Sequence, residues 1–363
     1  MKQNWTYKKL KHYITEYSVK NRNDEDIPVY SVTNSQGFCR EYFSKEVASK
    51  DKTTYKIVPK GFFAYNPSRI NVGSIDWQNK EDKVIVSPLY VVFEVSKELS
   101  QNYLLYYIKS RSTMAYINAV ATGTVRANLK LSMLGEFTIP VPPLAEQQRM
   151  VSELDLLQGI IDKQQAQLKE LDTLAQSIFY DMFGDPVENE KGWEVKRLGE
   201  VCDIVAGGDK PDDISTIRTN EYCYPVIANG DGDKGILGYS KTRRIVNDAV
   251  TIGARGASIG NCRIVYGGFT PVVRLIVLSP NDSVNCTYLF YFAKQMPYYS
   301  NGAGQAQLTV PNVRSAHFTL PPLRLQEEFA SKIELIEKQK TAISQTIAET
   351  RKLFEYTMDK YFG

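Results

Sequence analysis

Ile139-Pro-Val-Pro-Pro-Leu-Ala-Glu-Gln-Gln148 divides two kinds of sequence, and it returns in degraded form as Leu320-Pro-Pro-Leu-Arg-Leu-Gln-Glu327. Upstream of each Pro-Pro lie short apolar runs broken by turn residues. Downstream of each lie about forty residues without proline and with almost no glycine. Proline breaks a helix from within but suits the approach to its first turn. Each Pro-Pro-Leu is therefore read as the place where a globular domain ends and a long helix begins.

Other anchors recur in the same order. Trp5-x-x-Lys8-x-Leu10 returns as Trp193-x-x-Lys196-x-Leu198, Pro28-Val29 as Pro225-Val226, and Ser87-Pro88 as Thr270-Pro271. Tyr103–Lys109 returns as Tyr288–Lys294, Gly123-x-x-x-Ala127-x-Leu129 as Gly302-x-x-x-Ala306-x-Leu308, and Phe183-Gly184 as Phe362-Gly363. From Pro142 to Gly184 the copies align without a gap at a shift of 179 residues. A repeat this long means one structural unit used twice.

The helical segments carry apolar residues at alternating three- and four-residue steps. In the first, Met150, Leu157, Gln164, Leu171 and Ile178 take one seam position; Leu154, Ile161, Leu168, Ala175 and Met182 take the other. In the second they are Phe329, Ile336, Ile343, Thr350 and Thr357, with Ile333, Lys340, Ile347, Phe354 and Tyr361. That is a coiled-coil pattern, over helices roughly 55–60 Å long at 1.5 Å per residue. Gln164 and Lys340 interrupt the seams; a polar seam residue is either tolerated by snorkelling or fixes register. A globular domain separates the helices in sequence, so the chain turns back and antiparallel packing is expected, with the globular domains at opposite ends. The expected organisation is a globular domain over residues 1–143, a helix over 144–184, a second globular domain over 185–322 and a second helix over 323–363. The fold class is α+β: two similar, strand-rich mixed domains separated by two long antiparallel coiled-coil helices, with an internal two-fold repeat. Lys83–Val95 and Phe269–Leu278 read as core strands, Tyr103–Lys109 and Tyr288–Lys294 as aromatic helices.

Composition narrows the function. The chain has 363 residues, 43% hydrophobic and 23% charged, enough for two cores. The first ten residues are polar and lysine-rich, and no apolar run reaches the roughly 18 residues of a membrane span. No secretory leader and no membrane are expected. Five cysteines, Cys39, Cys202, Cys223, Cys262 and Cys286, form no Cys-x-x-Cys pair, and the two histidines are His12 and His317. Reduced thiols in a cytoplasmic protein are expected, and no metal. The net charge is +3, but residues 1–143 carry +7 and residues 144–183 carry −4. Different partners for the two segments are implied.

Signatures of catalysis are missing. Asn66-Pro67-Ser68-Arg69 shares two residues with the Asn-Pro-Pro-aromatic motif of amino-group DNA methyltransferases, without the rest or a glycine-rich turn for the methyl donor. Pro211-Asp212-Asp213 opens no complete nuclease motif, and no phosphate-binding loop is present. The chain reads as non-catalytic.

Candidate contacts to nucleic acid are polar loops at matching places in the two copies, because base edges are read by Arg, Lys, Asn and Gln. One pair is Tyr65, Asn66, Ser68 and Arg69 against Arg255 and Ser258. A second is Thr124, Arg126 and Asn128 against Gln305 and Gln307. A third is Asn34 and Gln36 against Asn229, Asp231 and Lys234. The adjacent Arg243 and Arg244 offer a phosphate grip.

The order of globular domain, Pro-Pro-Leu-x-x-Gln and long helix, repeated once and preceded by Gly123-Thr-Val-Arg-Ala-Asn-Leu129, resembles the specificity subunit of type I restriction–modification enzymes over essentially the whole chain. The second copy departs at Arg324 and Leu325, where the first has Ala145 and Glu146. The resemblance implies two target-recognition domains, each reading half of a bipartite, asymmetric site in double-stranded DNA, with the helices setting the spacer. It implies docking of two methyltransferase subunits, with or without two motor–nuclease subunits. S-adenosylmethionine, ATP and magnesium are then expected on those partners and none on this chain. The rival readings are a coiled-coil adaptor with no nucleic-acid role and a DNA-modifying enzyme fused to recognition domains.

Overall fold

A computed structural model describes residues 5–40, 51–121, 128–230, 235–296 and 308–363. The chain divides into two compact units, Met1–Gln164 with Gln345–Gly363, and Gln165–Ser344. Each long helix is thus shared, half to each unit.

The first unit contains strands β1 (Thr6–Lys9), β2 (Ile14–Glu16), β3 (Ser31–Thr33), β4 (Gly37–Cys39), β5 (Lys56–Pro59), β6 (Phe63–Tyr65), β7 (Ile75–Trp77), β8 (Lys83–Val86), β9 (Val91–Val95) and β10 (Thr138–Val141). Its helices are α1 (Gln101–Lys109), α2 (Arg111–Ala121), α3 (Leu131–Gly135) and the start of α4 (Leu144–Phe183). An antiparallel sheet in the order β2-β9-β6-β7 forms its centre. Side chains alternate across a strand. Phe63 and Tyr65 of β6 and Phe93 of β9 therefore enter the main core, and Ala64 and Val92 enter a second core with Val32, Phe38, Val58, Val84 and Val86. Both faces of β6 are covered, which is why Phe62–Tyr65 reads as an unbroken apolar run. Met150 and Leu154 of α4 close the main core together with Met358, Tyr361 and Phe362.

The second unit repeats this plan. Its strands are β11 (Glu194–Arg197), β12 (Cys202–Ala206), β13 (Tyr224–Ile227), β14 (Ile236–Ser240), β15 (Ala249–Gly253), β16 (Cys262–Val265), β17 (Thr270–Pro271), β18 (Leu275–Pro280) and β19 (His317–Leu320). Its helices are α5 (Leu198–Val201), α6 (Cys286–Gln295), α7 (Val310–Arg314) and the start of α8 (Leu323–Phe362). The sheet β12-β18-β15-β16 has the strand order of β2-β9-β6-β7, and the ladder β11–β19 repeats β1–β10. The duplication in sequence is a duplication of fold.

Both helices span the expected forty residues. α4 ends where Gly184 takes a left-handed φ of +74° and donates its N–H to the Tyr180 carbonyl, the usual glycine stop. All twenty expected seam positions are buried or half-buried. In the second unit Phe183 packs on Phe329, and Asp172 meets Lys340 at 2.8 Å; in the first, Glu153 accepts the Tyr361 hydroxyl. In the second unit numbers rise along one helix as they fall along the other, so the two segments run antiparallel there. Lys340 does not simply snorkel. Burial pulls its pKa down, but the carboxylates of Asp172 and Glu337 outweigh that and hold it above the ordinary lysine range. Gln164 is different: its half-buried side chain keeps an amide oxygen with no partner among the described residues.

Each expected core strand is in fact two. Lys83–Val95 breaks at a turn in which Tyr90 N–H donates to Ser87 C=O at 3.0 Å, with Pro88 at the second position that proline favours. Phe269–Leu278 breaks likewise between Pro271 and Leu275.

Pro-Pro-Leu-x-x-Gln has a local role that its spelling did not reveal. Gln147 is fully buried; its amide donates to the carbonyls of Glu98 (3.0 Å) and Pro142 (2.9 Å) and accepts from Ser100 N–H (2.8 Å). Gln326 is equally buried and does the same with Ser283, Pro321 and Asn285. Each glutamine clamps the first turn of a long helix to the entry of the aromatic helix beside it, α1 or α6.

Candidate nucleic-acid interface

In each unit, the second and third strands of the central sheet in chain order are joined by a loop that carries one arginine. Between β6 and β7 the chain folds through Asn66-Pro67-Ser68-Arg69 into a single 3-10 turn, Ile70–Val72. Asn66 is half-buried, and its side-chain oxygen accepts from Ser68 N–H at 3.0 Å, which shapes the loop. The Ser68 hydroxyl donates to Asn128 at 3.0 Å, and Leu129 N–H donates to the Pro67 carbonyl at 3.2 Å. The Asn34 amide lies so close to Gly73 that a Cβ there would stand 2.4 Å from its oxygen. Only glycine fits that approach. Asp76 on β7 accepts the Phe38 N–H of the β3–β4 hairpin at 3.1 Å, and burial pushes its carboxyl above the usual range. Three loops far apart in sequence are thus assembled around one exposed guanidinium. Arg69 makes no side-chain hydrogen bond or ion pair among the described residues.

Tyr65 is a correction to the sequence expectation. It is fully buried, stacks edge-on against Phe93 and donates its hydroxyl to the Leu129 carbonyl at 2.9 Å. The β period places it inward, where it supports the loop from within the core. Gln36 is exposed at the tip of the β3–β4 turn.

The second unit builds the equivalent corner between β15 and β16, where Gly256–Ser258 forms the 3-10 turn. Asn229, after β13, braces this loop from its other arm: it packs against Gly253, before the arginine, and donates to the Arg255 carbonyl at 3.1 Å. Leu308 N–H donates to Ala254 C=O at 2.9 Å, as Leu129 does to Pro67. Arg255 is exposed, with Ser258 half-buried beside it. Arg243 and Arg244 are exposed but already engaged, the first over the Tyr224 ring at 4.9 Å and the second with the Asp209 carbonyl at 3.2 Å. Thr124, Arg126, Asp231, Lys234, Gln305 and Gln307 lie outside the described residues.

Two cations were not among the expected contacts. Lys210 and Arg274 line one cleft of about 460 Å³ with Asn229, Arg255 and Ser258. The signal that could have found Arg274 is a length difference: Pro271 to Leu275 is one residue longer than Pro88 to Val91. Among the described residues no group of histidine, cysteine and carboxylate side chains could hold a metal ion, and no helix is long and apolar enough to cross a membrane.

A model of the type I restriction modification DNA specificity domain matches residues 6–172 and matches again over residues 190–350. The chain belongs to this family. Within it, the chain is 26% identical over 276 residues to the type I specificity subunit S.MpnORF507P of Mycoplasma pneumoniae, covering 74% of each. It is 25% identical over 269 residues to the type I restriction enzyme MjaIX specificity subunit of Methanocaldococcus jannaschii, covering 65% of this chain and 62% of that one. In fold it is similar to the crystal structure of a type I restriction–modification S subunit from M. genitalium, with a TM-score of 0.60 at 16% identity over 99% of this chain and 96% of that one. A chain from a structure on assembly and conformational transition of the type I system matches with a TM-score of 0.58 at 19% identity, over 99% and 98%. The chain is a type I specificity subunit, a DNA-recognition protein, and the two family matches fall on the two halves of its repeat.

Proposed function

We propose that each unit reads one half of a bipartite, asymmetric DNA site, that the paired helices set the unread spacer, and that the chain docks two methyltransferase subunits. The observation that carries this reading is the recurrence of one corner in both units: a loop between equivalent strands, braced by an asparagine from a neighbouring hairpin, presenting Arg69 in one and Arg255 in the other. An arginine held by a rigid sheet can meet guanine O6 and N7 in the major groove, and the flanking polar groups can settle on phosphates. The loops around the two arginines differ in sequence, so the half-sites differ.

The helices supply surfaces for the partners. Leu156 and Leu335, 179 residues apart and so equivalent in the repeat, are 66% and 63% exposed; Leu174 and Leu353, equally spaced, are 48% and 51% exposed. Apolar side chains left out of the seam at repeated positions suit two copies of one partner. Methyl transfer, with S-adenosylmethionine, and ATP-driven cleavage with magnesium, where present, belong to those partners, and this chain contributes recognition.

The test is to co-express the chain with its methyltransferase subunits and map methylated adenines. A split motif of fixed spacing is expected, with binding that weakens steeply as salt rises. Methylation without sequence preference, or salt-independent binding, overturns the reading.

A further inference from the structure

We infer that Arg274 is a base-reading residue of the second unit, aimed at a guanine in its half-site; this rests on the DNA-reading function proposed above. Arg274 has a φ of +73°, in the left-handed region that L side chains avoid and glycine or asparagine normally fills. Its carbonyl accepts Ala254 N–H at 2.8 Å, and the flanking residues are pinned by Val272 N–H to Ile227 C=O (2.8 Å) and Gly207 N–H to Leu275 C=O (2.9 Å). The turn is therefore fixed from three strands. Nothing in that network uses the arginine side chain. It is exposed, makes no hydrogen bond or ion pair among the described residues, and opens into the cleft that holds Lys210, Asn229, Arg255 and Ser258.

A residue that strains the backbone without repaying the strain through its own contacts points to a use outside the fold. The first unit shows the contrast. Its turn is one residue shorter, and the residue before β9 is Tyr90, half-buried, whose hydroxyl accepts Val32 N–H at 3.4 Å and whose carbonyl accepts Lys56 Nζ at 2.6 Å. That position is spent on structure; its counterpart in the second unit is an exposed cation, on a rigid turn, with no hydrogen bond or ion pair among the described residues. A phosphate contact needs only positive charge and tolerates a flexible mount. Bidentate contact to guanine needs a fixed direction, which a turn locked from three sides provides. Asn229 and Ser258 in the same cleft are edge-reading or water-bridging groups of the kind that accompany such a contact.

The experiment uses the full chain co-expressed with its methyltransferase subunits, as wild type, Arg274→Gly and Arg274→Lys, read by genome-wide methylation mapping and by thermal unfolding. Arg274→Gly is expected to keep or raise Tm, because glycine accepts the left-handed backbone. It is expected to lose discrimination at one base position by roughly ten- to a hundred-fold, as for loss of a bidentate pair, with the half-site of the first unit unchanged. Arg274→Lys should relax the same position, since an ammonium cannot reproduce the fork. An unchanged motif in Arg274→Gly overturns the inference, as does a fall in Tm, which would make the arginine structural. A uniform loss of methylation with no base position relaxed, restored by Arg274→Lys, assigns the side chain to phosphate and also overturns it. If the wild-type complex shows no split motif, the DNA-reading function itself fails, a result distinct from the others.

Discussion

Arg69 stands on a loop braced by its neighbours: Asn66 holds Ser68, Ser68 holds Asn128, and Asn34 packs on Gly73. Removing its side chain should leave that scaffold intact. Arg69→Ala is expected to relax one base position in the half-site of the first unit, costing about 1–3 kcal/mol if the contact is bidentate to guanine. Comparison of binding to a panel of single-base variants measures this. Equal weakening across the panel would reassign Arg69 to phosphate. Gln147 gives a prediction of the opposite kind, on stability and not on recognition. Gln147→Ala leaves Ser100 N–H and the Glu98 and Pro142 carbonyls without their partner, and a buried group left unpaired costs about 1–3 kcal/mol. A matching drop in urea midpoint is expected for Gln326→Ala. If neither midpoint moves, the clamp does not contribute to holding the helices on the domains.

At the scale of elements, the long helices have two faces with different work. The seam face is occupied: Phe179, Phe329 and Phe183 pack edge to face in the second unit, and Tyr106 spans from Asp155 to Phe354 in the first. α4 carries a net charge of −4 over residues 144–183, although Glu153, Asp155 and Asp172 are engaged with Tyr361, Tyr106 and Lys340, and it still exposes Leu156 and Leu174. Because these leucines add nothing to the core, Leu156→Asp should shift stability by no more than about 0.5 kcal/mol. It is expected to remove one methyltransferase copy from the complex, and Leu156→Asp with Leu335→Asp to remove both. Mass photometry of the co-purified complex counts the copies; full occupancy of the double variant would place docking elsewhere.

At the scale of the molecule, α4 begins in one compact unit and ends in the other, and α8 returns in the opposite sense. If the pair is a ruler, its length in residues is a length in base pairs. Removing one heptad from each helix shortens each by about 10 Å, close to three base pairs at roughly 3.4 Å each, while keeping the seam in phase. Methylation maps should then show both half-sites unchanged and the spacer reduced; an unaltered spacer would sink the ruler. Much of this architecture is legible in the sequence. Seven recurring anchors announce two copies of one unit, and the seam from Met150 to Met182 and from Phe329 to Tyr361 announces paired helices, because heptad spacing of apolar residues is a local property that can be read along the chain. The paired loops are legible as pairs for the same reason. Their composition into a site is not. Tyr65 reads as a contact and is core, since the face a strand residue points to depends on register with β9 and β7. Arg274 is marked in the sequence only by a turn one residue longer than its counterpart; its left-handed backbone is held by the hydrogen bond from Ala254, a residue distant along the chain. Periodicity and repetition act along the chain and can be read there; register, strain and the meeting of loops act across it, and only the folded molecule sets them.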